Sequence, residues 1–161
     1  MKKISVRTVA LGGVLSALVL LSTYVLKVPV LNGYVNMGDA TIFASAVILG
    51  PFAAICAALG SALADLISGY GQYALATFII KGAMGLIAGY ALMKYPKMRL
   101  PVVGLVFFLC EVVMVGGYLL FETFLYGFTA ALAAVPYNAL QAIAGIALGL
   151  ASLSYIRRLR I

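Results

Sequence analysis

Apolar residues run along this chain in long blocks, interrupted at a few points by glycine, proline and charge. Blocks approaching the roughly 20 residues that carry a helix across hydrocarbon predict membrane-spanning helices. The first block covers 5–26 and breaks at Lys27, Pro29, Asn32 and Gly33. Lys27 to Met37 is too polar and too interrupted to span, so an external loop is expected there, with a covering role open to it. A second block, 38–49, stops at Gly50-Pro51. A run that short crosses only if tilted, thinned or partly unwound.

The third block, 52–68, carries Ala53, Ala57 and Gly60-Ser61 at spacings that let helix backbones approach closely, which places it in the bundle centre. After the turn Gly69-Tyr70-Gly71-Gln72, a fourth span covers 73–93, and Lys94 to Arg99 returns the chain. Pro101 opens the fifth span, 101–124, at a position where proline sacrifices no hydrogen bond. Tyr118, Phe121, Phe124, Tyr126 and Phe128 ring its outer end, and the sixth span covers 131–155. The expected fold is an all-α integral membrane bundle of six transmembrane helices with a short second helix, one domain over 1–161.

Composition agrees with that pattern. The chain is 65% hydrophobic and 9% charged, with a mean hydropathy of +1.17, against the roughly 25% charged of a soluble domain. The net charge of +7 does not point to nucleic acid, because the basic residues cluster. Lys2, Lys3 and Arg7, then Lys94, Lys97 and Arg99, then Arg157, Arg158 and Arg160 would share one side of a six-span protein. The positive-inside pattern makes that side, and both termini, cytoplasmic. The basic N-terminus also resembles a secretory signal, but the run continues to Leu26 without a clear cleavage site, so a retained first helix is expected. Cys56 and Cys110 read as buried small hydrophobes.

Against this background the interior polar residues stand out, since a charge near the bilayer centre costs about 2.5–3.5 kcal/mol on insertion scales. Helical rise sets their depths. Asp65 falls about one turn below the outer end of its helix and Lys81 in the outer half. Glu111 falls near mid-membrane, with Tyr118 and Glu122 following on the same face, and Asn138 and Gln141 share a face in the outer half. Topped by Asn36 and Asp39 of the first loop, these groups have the layout of a binding pocket. The plainer alternative is that Lys81 pairs with Asp65 or Glu111 to lock the bundle while Asn138 and Gln141 bond backbone carbonyls. Pro136 would kink the sixth helix beside them.

The chain has no histidine and no G-x-x-x-x-G-K-[ST] run, so histidine-based catalysis or metal binding and unaided ATP binding are absent from the expectation. Neither a metal site nor a bound cofactor is expected. Gly12, Gly13, Ser16 and Ala17 form a flat stripe on helix one, suited to contact within the protein or with another subunit.

The runs Asn36-Met-Gly-Asp39, Gly50-Pro51 and Gly60-Ser-Ala-Leu-Ala-Asp65-Leu-Ile-Ser-Gly69-Tyr70 resemble the S component of energy-coupling factor (ECF) vitamin transporters. The likeness continues through Ile80-Lys81-Gly82, Gly85, Gly89, Glu111, Gly116-Gly117-Tyr118, Glu122, Pro136, Asn138, Gln141 and Gly145. It is closest to the riboflavin-transporter-like branch, which also holds proteins for hydroxymethylpyrimidine and pyridoxine. The resemblance implies a binding subunit that captures a vitamin outside and docks on a transmembrane coupling subunit with two ATPases, which use the ATP. Gly13 and Ala17 stand where the family's docking surface usually has two alanines.

The dense polar set suits a small heteroaromatic ring, so hydroxymethylpyrimidine or pyridoxine is expected before riboflavin. Asn36, Asp39, Lys81, Glu111, Tyr118, Asn138 and Gln141 are the expected ligand contacts, with Asp65, Glu122 and Tyr73 as further candidates. The competing function is a self-sufficient proton-coupled carrier using Glu111 or Asp65. A membrane-embedded enzyme is disfavoured because no nucleophile and base are paired.

Overall fold

The computed structural model describes residues 5–30 and 33–159, so Lys2, Lys3, Asn32 and Arg160 of the sequence reading lie outside the described residues. Ser5 opens the first helix, its side chain accepting from the Thr8 N–H at 3.1 Å. The helices are α1 (Val6–Val25), α2 (Gly38–Leu49), α3 (Ala53–Ile67), α4 (Ala74–Lys94), α5 (Leu100–Tyr126) and α6 (Phe128–Leu159). Among the described residues five stretches are long and apolar enough to cross a membrane, because Gly38–Ile67 reads as a single one through α2 and α3. At 1.5 Å per residue α2 alone covers only about 18 Å.

The chain nevertheless folds back between α2 and α3. Gly50 adopts φ 58°, a left-handed conformation that favours glycine, and Gly50–Phe52 forms a 3-10 turn led by Pro51. Gly38 lies against the Thr23 side chain at one end of α1, whereas the Phe52 ring lies against Gly12 near the other. α2 and α3 therefore form a hairpin that brings Asp39 and Asp65 to the same end of the bundle.

Small residues make the central packing close, as their spacing in α3 implied. A methyl group at Gly60 would meet the Ser16 carbonyl oxygen at 2.5 Å, and one at Gly85 would meet the Ala53 carbonyl oxygen at 2.7 Å. α3 is thereby wedged between α1 and α4. The stripe on α1 divides: Gly12 and Ser16 face α3, while Gly13 and Ala17 are exposed, with nothing within 4 Å of a side chain added at Gly13.

One end of the bundle gathers the described basic clusters. Arg157 on α6 donates to the Met98 and Pro96 carbonyls at 2.9 and 3.2 Å, tying the last helix to the α4–α5 connection. The core above it is apolar: Phe43 and Phe107 stack with ring centres 4.0 Å apart, beside buried Met84, Val103, Cys110 and Met114.

The opposite end carries the segment expected as a loop between spans. Within it a short two-stranded antiparallel hairpin forms, β1 (Lys27–Pro29) with β2 (Tyr34–Asn36), in the register Lys27 to Asn36 and Pro29 to Tyr34. Strands of three residues leave no periodic signal, and Pro29 argues against one. The base of the hairpin is held by Lys27, which donates to Ser68 at 2.7 Å and lies 4.3 Å from the Tyr24 ring centre.

Candidate functional site

A cavity opens beneath that hairpin, walled by the hairpin-end turns of α1, α3, α4, α5 and α6. Its free volume is about 40 Å³, room for water rather than for a heteroaromatic ring. A ligand must therefore displace side chains to enter. Asn36, Asp65, Tyr73, Lys81, Tyr118, Glu122, Asn138 and Gln141 all line it. Asp39 and Glu111 do not: both are buried below the lining.

One wall is closed on itself. Lys81 is 2% exposed and its ammonium sits 2.5 Å from Asp39 Oδ1, so its partner is neither Asp65 nor Glu111. α2 packs against α4, which brings Asp39 of its first turn to Lys81. Gln141 donates from Nε2 to Asp39 Oδ2 at 2.5 Å, and its Oε1 accepts the Asn36 backbone N–H at 2.8 Å. The Asn36 side chain accepts the Gly38 N–H at 2.8 Å, closing the start of α2. Gln141 thus serves a carboxylate and a backbone N–H rather than a backbone carbonyl. A buried ion pair survives only with its remaining valences hydrogen-bonded, and this chain supplies them for Asp39.

Glu111 lies behind that wall. A methyl at Gly145 would meet Glu111 Oε1 at 2.6 Å and Asp39 Cβ at 3.0 Å, so the two acids converge on the same point of α6. Neither oxygen of Glu111 has a hydrogen-bond partner.

The other wall is tyrosine-rich and open in its hydrogen bonding. Tyr34 of the hairpin donates to Asp65 Oδ1, and Tyr70 donates to the Gly33 carbonyl at 3.4 Å. Burial first, and the Asp65 carboxylate second, hold the Tyr34 phenol well above the ordinary tyrosine range, so it remains a donor. Tyr73 donates to Glu122 Oε1 at 3.3 Å, and the Tyr118 and Thr77 hydroxyls are 3.0 Å apart. The Lys81 ammonium lies 5.7 Å from the Tyr118 ring centre. Sequence reasoning missed Thr23, Tyr34, Ser61, Tyr70 and Thr77, all in the lining. The available signal was helical spacing, since Ser61 is four residues before Asp65 and Thr77 four before Lys81.

Among the described residues no cluster of three or more histidine, cysteine or acidic side chains could hold a metal. The arrangement is suited to enclosing a small polar molecule.

The chain is similar to known proteins along most of its length. Residues 3–158 match the ECF-type riboflavin transporter, S component, family. An uncharacterised protein of Pyrococcus woesei is 38% identical over 140 residues, which are 84% of this chain and 90% of the relative. The thiamine precursor transporter HmpT of Lactococcus lactis is 35% identical over 103 residues, 64% of this chain and 52% of HmpT. With its apolar helices and a family of transporter components, the protein is a multi-pass membrane protein of vitamin transport. The chain belongs to the ECF-type riboflavin transporter S component family.

Proposed function

We propose that this protein is the substrate-binding subunit of an ATP-driven ECF importer, taking a vitamin precursor from outside the cell to a shared coupling and ATPase module. The observation that carries the reading is the cavity under the hairpin, walled by polar groups from five helices. Hydroxymethylpyrimidine or pyridoxine is the preferred ligand, ahead of riboflavin. The small free volume supports that order, because a larger ring must displace more of the lining, and the relative HmpT carries the name of a thiamine precursor transporter.

In this reading the hairpin end faces outward and the end bearing Lys94, Arg99 and Arg157 faces the cytoplasm of a bacterial cell, in keeping with the positive-inside pattern. Gly13 and Ala17, exposed on α1, meet the transmembrane coupling subunit, and two partner ATPases hydrolyse the ATP.

Purified protein should bind one of the three vitamins below micromolar concentration, measured by calorimetry. In liposomes it should accumulate that vitamin only when the coupling and ATPase subunits are added with ATP. A second reading has one observation in its favour: Glu111, buried with both oxygens unpartnered, is the type of group a proton-coupled carrier uses. Uptake by the chain alone under a pH gradient would establish that carrier and exclude the first reading.

A further inference from the structure

The two walls of the cavity differ in what they leave unbonded. Lys81, the cation of the lining, is matched by Asp39, and Asp39 is completed by Gln141. On the other side four side-chain oxygens are buried without a hydrogen-bond partner: Thr23 Oγ1, Ser61 Oγ, Asp65 Oδ2 and Glu122 Oε2. All four residues line the cavity, at 3%, 1%, 5% and 5% exposure. They come from α1, α3 and α5, so no local helix geometry explains them together. The nearby Thr77 hydroxyl lies 3.0 Å from the Tyr118 hydroxyl, and either of the two can be the donor.

Buried polar groups are nearly always hydrogen-bonded, and unpaired ones are costly. Two of these oxygens are carboxylate acceptors, and the two hydroxyls both accept and donate. Their other capacity is known: the second carboxylate oxygens already accept from Tyr34 and Tyr73. What remains is an acceptor-rich surface, and among the described lining residues the cation, Lys81, is already paired.

We propose that Thr23, Ser61, Asp65 and Glu122 form the ligand's recognition surface, that they select a neutral or cationic molecule presenting at least two N–H or O–H donors, and that they reject its phosphorylated form. The closed wall of Lys81, Asp39 and Gln141 then acts as a preformed support. An approaching phosphate monoester brings about −1.5 to −2 charges and acceptor oxygens only. Against Asp65 and Glu122 it meets repulsion, and within this surface only the Thr23 and Ser61 hydroxyls can donate in place of its water. This inference rests on the importer reading and refines it by stating which chemical form of a vitamin enters.

The test uses hydroxymethylpyrimidine, pyridoxine and riboflavin, each beside its phosphate monoester, with affinities from calorimetry on the full-length protein in detergent. The wild type should prefer the parent of the bound pair by about 100-fold or more, the scale on which sites discriminate through unpaired polar groups. Ser61→Ala and Thr23→Val should each weaken the parent by about fivefold or more. Asp65→Asn should narrow the parent-to-phosphate ratio by about tenfold, whereas a general folding defect weakens both ligands alike and leaves the ratio unchanged. The wild-type ratio needs no variant, so the inference stays exposed even if every variant misfolds. A wild-type ratio below tenfold, or an unchanged ratio in folded Asp65→Asn, overturns the inference and leaves the importer standing. Failure of the wild type to bind any of the three parents overturns both.

Discussion

At the basic end of the bundle Phe43 and Phe107 stack among buried Met84, Val103 and Met114, and almost every contact is apolar. At the hairpin end the buried side chains include Asp39, Asp65, Lys81, Glu122 and Gln141, and two of their oxygens, Asp65 Oδ2 and Glu122 Oε2, have no partner. Both ends belong to the same helices, so the contrast arises from residue choice along each helix rather than from separate units. The apolar end is a finished interior. The polar end has a close hydrogen-bonded support on one side and unmet hydrogen-bonding capacity on the other, as a site that exchanges its contents requires.

That contrast can be broken at its strongest point. Lys81→Ala leaves the Asp39 carboxylate buried without its cation, and should lower stability by about 3–5 kcal/mol. Thermal unfolding in detergent would show it as a large drop in Tm, mostly recovered when Asp39→Asn is added to the same chain.

Removing the hairpin's hold on α3 should be less damaging and more local. Tyr34→Phe deletes a hydrogen bond to a carboxylate, worth about 1.5–3 kcal/mol. Amide hydrogen exchange at 34–36 should accelerate by roughly tenfold or more while Tm changes little. A global loss of stability would show that the hairpin is part of the core.

In the middle of the bundle, Gly85→Val presses a side chain onto the Ala53 carbonyl, which cannot retreat, at a cost of about 1–3 kcal/mol. Here Tm should fall and ligand affinity in the surviving folded protein should stay within about twofold. The smallest intrinsic effect belongs to Ala17→Leu, on the exposed face of α1. Its stability should remain within about 0.5 kcal/mol of the parent, while co-purification with the coupling subunit is lost. Normal assembly would remove that face from the proposed interface.

Helices were the legible part of the fold, because length and hydropathy alone distinguish them. The turn at Gly50-Pro51 was marked by its two residues, and α2 runs between the glycines that suggested its limits. The hairpin was not legible, since three-residue strands provide too few alternations to count. Depth along each helix placed Lys81, Tyr118, Asn138 and Gln141 near one another beneath Asn36 of the first loop, and all five line the cavity. Depth does not give rotation, and for that reason the partner of Lys81 was misjudged and Glu111 was placed in a lining it does not join. Thr23 and Ser61 escaped notice because a hydroxyl is common in membrane helices. Only the cavity around them shows that these two lack the usual backbone partner.

The tyrosines around the cavity have a consequence for how the protein can be watched. The sequence has ten tyrosines and no tryptophan. Tyr34, Tyr70, Tyr73 and Tyr118 all line the cavity, with successive ring centres 5.1, 6.4 and 6.4 Å apart. Rings this close exchange excitation energy, so four of the ten tyrosines sense the cavity together, unobscured by indole. An aromatic guest entering among them quenches or shifts that emission. Occupancy can therefore be followed optically in the unlabelled protein.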